Sequence, residues 1–314
     1  MSVLAWLGRQ GTRAITALVF IGIVAPPIGA LLKPFVTAAI FLLLTIAFMR
    51  LDASALRGYV RRPALVLAAT GWTMLVVPIA FGAVGLALGL QARAPDLLLG
   101  LMLQAVASPM MATPSFAALM GLDATLVLVT LIAASALTPL TAPVFTSAVV
   151  GPALTLSPLA LGLTLLAIIL GSAAAGLLLR RLVGPATIQR FKDEIDGVNI
   201  LVAFVFVAAV MEHVAARVLA APVQMLGLGM LAFALFVTVF GVTTLTFAGA
   251  GRERALALGF MASQRNMGLM LAATGGALPD LTWLYFAMCQ FPIYLSPQLL
   301  KPLARRWSSP VARH

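Results

Sequence analysis

Long apolar runs separated by short polar segments dominate this chain. About 20 helical residues cross the hydrocarbon core of a bilayer, and ten runs have roughly that length. They cover 13–32, 34–49, 63–90, 97–121, 125–150, 157–178, 197–216, 223–247, 253–276 and 281–303. Because a helix satisfies all its backbone hydrogen bonds inside lipid, the pattern predicts an all-α polytopic membrane protein with ten transmembrane helices.

Composition and charge sharpen this picture. The chain is 62% apolar and only 9% charged, with a mean hydropathy of +1.10, values that exclude an ordinary soluble domain. Sixteen basic residues fall in alternate loops and at the termini, against three (Lys33, Arg93 and Arg217) on the other side. The positive-inside rule therefore predicts a multi-pass protein of the cell (inner) membrane with both termini in the cytoplasm. The net charge of +11 reflects topology and predicts no nucleic-acid partner.

Interruptions of the apolar runs predict an internal symmetry. The fourth run is broken by the segment SPMMATPS at 108–115, and the ninth by the polar residues around Arg265. Pro109 and Arg265 are 156 residues apart, and Pro139 and Pro297 in the following runs are 158 apart. Five helices per half is an odd number, so the halves enter from opposite sides. We therefore expect inverted repeats over 1–154 and 155–314, helices 4 and 9 broken at the midplane, and an amphipathic interfacial helix over 180–196.

Arg265 is the most informative single residue. A charge at mid-bilayer costs about 2.5–3.5 kcal/mol on insertion scales, and no acid is placed to compensate it. All nine acidic residues map to loops or helix ends: Asp52, Asp96, Asp123, Asp193, Glu194, Asp196, Glu212, Glu253 and Asp280. Two interpretations remain open: the guanidinium binds an anion beside half-helix N-termini, or it is structural, bonded to carbonyls freed at the helix breaks or snorkelling.

Other polar residues near mid-depth concentrate on helices 4, 5, 9 and 10. The predicted substrate-binding set is Arg265, Asn266, Gln264, Ser263, Thr113, Ser115, Ser108 and Gln290, with Pro109 and Pro114 as helix-breaking residues. Further polar residues at this depth are Gln104, Ser135, Thr138 and Tyr294. With a single cysteine, Cys289, and two histidines, the sequence predicts no metal site and no cofactor.

The chain resembles the bile acid:sodium symporter superfamily over essentially its whole length. The likeness is carried by the ten spans, the paired breaks, the helix 9 segment Ser263-Gln264-Arg265-Asn266-Met267-Gly268-Leu269, and Asp123 followed sixteen residues later by Pro139. The resemblance implies a core of helices 3–5 and 8–10, in which the broken helices cross, and a panel of helices 1, 2, 6 and 7.

The same resemblance reveals departures at the family's ion sites. Helix 9 of sodium-coupled members typically reads Glu-x-Gly-x-Gln-Asn. Aligned on Asn266, this chain has Met261, Ser263 and Arg265 at the specified positions, and a shift by one residue, which would place Gln264 on the Gln, restores no carboxylate. Thr113-Pro114 stands where the family tends to have Ser-Asn on helix 4. Val127 and Leu131 replace expected hydroxyl ligands on helix 5.

These observations predict a secondary transporter of a small organic anion. It would work by alternating access, with Arg265 as a built-in cation at the position where relatives hold sodium. Transport would therefore not require sodium, and the protein would be a uniporter or an exchanger. One alternative is a sodium-coupled symporter with relocated ligands; another is a membrane sensor that binds the anion without moving it. An enzyme is not expected, because the sequence offers no nucleophile–base or metal constellation. The expected partners are the anion and the lipid bilayer.

Overall fold

The protein is predominantly helical in the part that the computed structural model describes, residues 2–51, 63–151 and 157–308. Within these ranges the only extended pairing is one isolated bridge. In this described part of the chain, six helices are long and apolar enough to cross a membrane: Pro26–Met49, Pro63–Ala87, Ala124–Val150, Pro158–Val183, Lys192–Ala220 and Pro222–Thr246. The predicted class, an all-helical multi-pass membrane protein, is thereby confirmed.

The N-terminal helices begin and end at other residues than predicted. They are α1 Val3–Gln10, α2 Thr12–Val24, α3 Pro26–Leu32 and, after a 3₁₀ turn at Lys33–Phe35, α4 Val36–Met49. The predicted division at Lys33 is wrong, since the helix continues through it, and the chain turns instead at Ala25 (φ −120°, ψ 63°). Two prolines follow Ala25, and a residue before proline is sterically driven out of the α region.

The next segment contains the first broken helix. Its elements are α5 Pro63–Gly71, a π-helical turn at Trp72–Val76, α6 Val77–Ala87, α7 Leu90–Arg93, α8 Pro95–Val106, α9 Thr113–Met120 and α10 Ala124–Val150. Asp123 caps α10 by accepting a hydrogen bond from the Leu126 N–H (2.9 Å). The interruption between α8 and α9, at 107–112, overlaps the predicted break at 108–115.

The second half begins at α11 and contains the second broken helix. Its helices are α11 Pro158–Val183, α12 Pro185–Arg190, α13 Lys192–Met211, α14 Val214–Ala220, α15 Pro222–Thr246, α16 Arg252–Ser263, α17 Met267–Ala273 and α18 Asp280–Ser308. The single interfacial helix predicted over 180–196 is wrong: Gly184, at φ +82°, ends α11, and α13 already begins at Lys192. The predicted repeat boundary at 154/155, together with Asp52, Arg57, Arg61, Arg62 and Arg313, falls outside the described residues.

Most helix contacts fall within two groups, which meet chiefly where α10 packs on α11. The first group consists of α1–α4, α11 and α13, and the second of α5, α6, α8–α10 and α15–α18. Inside the first group α11 lies so close to α4 that a Cβ on Gly176 would come within 2.6 Å of the Thr45 carbonyl oxygen. Glycine is therefore required there by close backbone approach.

Ion pairs mark the two ends of the helices. At one end, here named the Arg50 end, Arg50 Nη1 lies 2.6 Å from Asp196 Oδ1 and Arg9 Nε 2.7 Å from Asp193 Oδ2. At the opposite end of α13, the Lys33 end, Lys33 Nζ lies 3.1 Å from Glu212 Oε2. Charges at both ends with an apolar stretch between them suit helices that cross a bilayer.

Candidate functional site

The two broken helices meet at their interruptions. The Met110 N–H donates to the Gln264 carbonyl (2.8 Å), and the Asn266 N–H donates to the Ser108 carbonyl (2.8 Å), which pairs Pro109 with Arg265 as an antiparallel bridge. Backbone groups released from a helix inside a membrane must find partners within the protein. Here each break supplies a hydrogen-bond partner for a backbone group of the other, so two segments 156 residues apart in sequence form one structural unit.

The prolines of the first break have different positions. Ala107 is extended (φ −62°, ψ 140°) and ends α8, and Pro109 lies in the bridge itself. Pro114 instead occupies the first turn of α9, where a missing N–H leaves no helical carbonyl unpaired. Of the two predicted helix-breaking prolines, Pro109 is thus in the break, and Pro114 starts the helix that follows.

The Arg265 side chain is buried, with only 3% of its surface exposed. Its Nη1 donates to the carbonyl of Ala107 (3.0 Å) and to the carbonyl of Thr73 (3.3 Å). Ala107 stands at the C-terminal end of α8, where the helix dipole favours a cation. Thr73 belongs to the π-helical turn, a feature often found at functional sites. The guanidinium therefore ties α8, the π turn and the second break together.

The Arg265 guanidinium has unused hydrogen-bonding capacity within the described residues. Among the described residues, Nη2 is buried without a hydrogen-bond partner, and no carboxylate forms an ion pair with the guanidinium. The described acids stand at helix ends, as Asp96, Glu253 and Asp280 do in the first turns of α8, α16 and α18. The site thus combines a buried positive charge with an open N–H donor.

The polar neighbours of Arg265 in sequence are partly engaged. Gln264 is fully buried, and its Nε2 donates to Ser296 Oγ (2.5 Å), while its Oε1 has no partner in the described part of the chain. Asn266 Oδ1 accepts from the Leu269 N–H (3.0 Å) and so caps α17. Ser263 Oγ donates to the Phe260 carbonyl (2.8 Å) within its own helix. Within the described part of the chain, the buried unpartnered atom of these three side chains is therefore Gln264 Oε1.

The remaining predicted site residues divide into three kinds. Ser108 and Thr113 are buried, and their hydroxyl oxygens lack a partner within the described ranges. Ser115 is exposed, in contrast to them. Gln290 donates to the Phe286 carbonyl (3.0 Å) of its own helix.

The other residues predicted at this depth are buried as well. Gln104 accepts from the Tyr285 hydroxyl, and Thr138 donates to the Ala134 carbonyl (2.9 Å). Ser135 Oγ has no partner among the described residues. The bridge thus brings together Ser108, Pro109 and the residues 264–266, and only part of the longer predicted set.

Two residues that contact the site, Thr73 and Ser296, were not predicted from the sequence. Thr73 accepts from Arg265, yet the run 63–90 is continuously apolar around it and carries no signal of a π turn. Ser296 directly precedes Pro297, and the structure makes its hydroxyl oxygen the acceptor for Gln264 Nε2. An apolar run whose two threonines, Thr70 and Thr73, lie near a tryptophan does not predict a contact with Arg265.

No protein-family model fits the chain, and no curated protein is significantly similar to it in sequence. Its function is accordingly inferred from the geometry of the two paired breaks.

Proposed function

We propose that this protein is a secondary transporter of a small organic anion, with Arg265 as the anion-binding cation, working by alternating access without a requirement for sodium. One observation carries the proposal. Arg265 is buried at the meeting point of two broken helices and retains an Nη2 without a partner among the described residues. Interrupted helices that meet inside a membrane protein are where transporters of inverted-repeat architecture bind their substrates.

Electrostatics favours an anion at this position. A buried charge is tolerated when it is paired and hydrogen-bonded, and Arg265 has carbonyl contacts but no described carboxylate partner. A carboxylate or sulfonate bound at Nη2 would neutralise the guanidinium and fill its open donor. Arginine suits this role because its planar fork bonds anions in fixed geometry and stays charged.

The packing supports the architecture that belongs to this proposal. The two helix groups have the composition that the resemblance to the bile acid:sodium symporter superfamily implies, with a panel of α1–α4, α11 and α13 and a core of α5, α6, α8–α10 and α15–α18. We include in the proposal the membership in that superfamily, ten spans in two inverted repeats, and cytoplasmic termini in the inner membrane. Rigid movement of the core against the panel would expose Arg265 to either side in turn.

A sodium-coupled symporter is the second candidate, favoured by one specific observation. Several buried hydroxyl oxygens of the second helix group lack partners in the described residues: Thr70, Thr73, Ser108, Thr113, Thr130 and Ser135. Hydroxyl and carbonyl oxygens are the ligands that hard cations take. If some of these oxygens converge, sodium could bind without the carboxylate that relatives use.

Uptake into proteoliposomes separates the two candidates. A panel of labelled carboxylates and sulfonates is first ranked by thermal stabilisation of the purified protein, and uptake of the best binder is then measured in sodium and in choline. We expect equal uptake in both and loss of uptake in Arg265→Ala. The matched control is Thr274→Val, a buried residue whose hydroxyl bonds only its own helix. A steep sodium requirement would select the symporter, and full uptake by Arg265→Ala would refute the anion site.

A further inference from the structure

The two carbonyls that hold Arg265 are ones that their own helices leave free. In the π-helical turn the Val77 N–H donates to the carbonyl five residues earlier, so the Thr73 carbonyl loses the donor that an α-helix would give it. Pro78, the next residue, has no N–H to donate instead. The Ala107 carbonyl lies at the end of α8, where the helix supplies no further N–H. Arg265 Nη1 bonds both carbonyls, which fixes the guanidinium between α8 and the π turn.

Three buried hydroxyl groups lie beside these two carbonyls. Thr73 itself carries one, and Thr70, three residues earlier on the same side of the helix, carries the second. Ser108, the residue after Ala107, carries the third. Each of the three residues is at most 4% exposed, and its hydroxyl oxygen has no hydrogen-bond partner among the described residues. The unpartnered Nη2 of Arg265 and these hydroxyl groups therefore lie in the same region of the second helix group.

The guanidinium decides which sign of charge a ligand in this region carries. Hydroxyl groups adapt to either sign, because they both accept and donate hydrogen bonds. At about 5 Å and an effective dielectric constant of about 20, one unit charge changes the binding constant of another by about 100-fold or more. Arg265 would thus repel a sodium ion among these hydroxyl groups and attract an anion. Since Nη2 and the hydroxyl groups are buried, the anion that suits them is also small.

We propose that a chloride ion binds here, accepting hydrogen bonds from Arg265 Nη2 and from the hydroxyl groups of Thr70, Thr73 and Ser108. A monatomic anion requires little room and accepts donors from any direction. Chloride would occupy Nη2 when the organic anion does not, and the protein would exchange one anion for the other across the membrane. This exchange rests on the proposed transport function, whereas the binding of chloride does not.

Thermal unfolding of the purified protein separates chloride binding from sodium binding. Sodium chloride, choline chloride and sodium gluconate are each titrated into a buffer without other salt. We expect the two chloride salts to raise the unfolding temperature equally and to saturation, and gluconate, whose polyol body does not fit a buried site, to leave it unchanged. A rise that follows sodium would overturn the proposal and favour the cation site. No rise with any salt would also overturn it and leave water as the ligand of Nη2.

Ser108→Ala tests the position of the ion. It removes one donor and leaves both carbonyl bonds of Arg265 in place. We expect the Kd for chloride to rise about 10- to 100-fold, the loss that corresponds to one hydrogen bond to a charged group. Thr73→Val, which keeps its backbone carbonyl, should have the same effect. An unchanged Kd in these variants would overturn the proposal.

Ser172→Ala is the matched control for Ser108→Ala. Ser172 is also buried, but it belongs to α11 of the first group, and its hydroxyl donates to the Ile169 carbonyl of its own helix (3.1 Å). The Kd for chloride should therefore equal that of the parent. An equal loss of affinity in both serine variants would mean a general effect on folding and would contradict the site.

Bromide in place of chloride shows the position directly. In crystals grown with bromide, we expect an anomalous scattering peak beside Arg265 Nη2. Peaks at surface cations alone would identify an adventitious ion only and would overturn the proposal.

Uptake into proteoliposomes tests the exchange. Vesicles are loaded with chloride or with gluconate, and the membrane potential is held at zero while uptake of the best-binding organic anion is measured. We expect uptake to be several-fold faster with internal chloride in the parent and in Ser172→Ala, and this stimulation to be lost in Ser108→Ala. Equal uptake into both kinds of vesicle would refute the exchange.

The two proposals fail in different ways. If the parent takes up none of the organic anions, the proposed transport function fails, and the unfolding titrations still decide whether chloride binds. If organic anions are taken up while chloride has no effect on unfolding or on uptake, the transport function stands and the chloride site is refuted.

Discussion

Replacing Arg265 with methionine separates anion binding from structural support. Methionine has similar length and no charge, so it removes the guanidinium without leaving a large void. The substitution abolishes the two bonds from Nη1 to the carbonyls of Ala107 and Thr73. It also removes the buried charge and the unpartnered Nη2.

Loss of the two hydrogen bonds and removal of the buried charge should change the free energy of unfolding by similar amounts in opposite directions. Hydrogen bonds from a charged group contribute about 1.5–3 kcal/mol each, so two of them contribute about 3–6 kcal/mol. Against this, a charge near the bilayer centre costs about 2.5–3.5 kcal/mol, and a buried donor without a partner about 1–3 kcal/mol. We therefore expect the unfolding free energy of Arg265→Met to lie within about 3 kcal/mol of the parent.

Anion-dependent stabilisation, in contrast, should vanish. A ligand at 100 times its Kd stabilises the folded protein by about 2.7 kcal/mol, and this increment depends on the guanidinium. The assay is thermal unfolding of the purified protein in detergent with and without the best-binding anion, in the parent, Arg265→Met and Thr274→Val. Retained anion stabilisation in Arg265→Met would refute the binding role. Loss of folding far beyond 3 kcal/mol would show that Arg265 acts chiefly as a structural clamp for the two carbonyls.

Two further predictions concern packing and the buried amide. Gly176→Ala should lower the unfolding temperature, because the new Cβ would lie 2.6 Å from the Thr45 carbonyl oxygen. The control Gly227→Ala, whose new Cβ would have nothing within 4 Å, should leave the unfolding temperature unchanged or raise it. Equal effects of the two substitutions would show that α11 and α4 can separate. Ser296→Ala removes the acceptor of Gln264 Nε2 and should lower the free energy of unfolding, measured with denaturant, by about 1–3 kcal/mol. Adding Gln264→Leu should recover part of that loss. Strictly additive losses would mean that the two side chains are not coupled.

The places of the helix breaks could be predicted from the sequence, because their causes are local. Pro109 has no backbone N–H to give a helix, and Arg265 with its polar neighbours interrupts an otherwise apolar run. Ala25 carries an equally local signal, since two prolines follow it, yet the hydropathy pattern favoured Lys33 as the turn. Lys33 lies instead in a 3₁₀ turn that joins α3 to α4, and its ammonium reaches Glu212 at the end of α13, a partner that lies 179 residues further along the chain.

The sequence by itself determined the helical membrane class, the absence of acids from the middles of the apolar runs, and the position of one charge within them. These properties follow from residue types and their spacing along the chain. Only the tertiary structure decided what Arg265 touches: the carbonyls at the end of α8 and in the π turn. A guanidinium on a flexible stem takes whichever buried acceptors the fold brings within reach, and here they come from positions 158 and 192 residues away. The same holds for Trp283, whose Nε1 donates to the Val210 carbonyl only because α18 and α13 lie against each other.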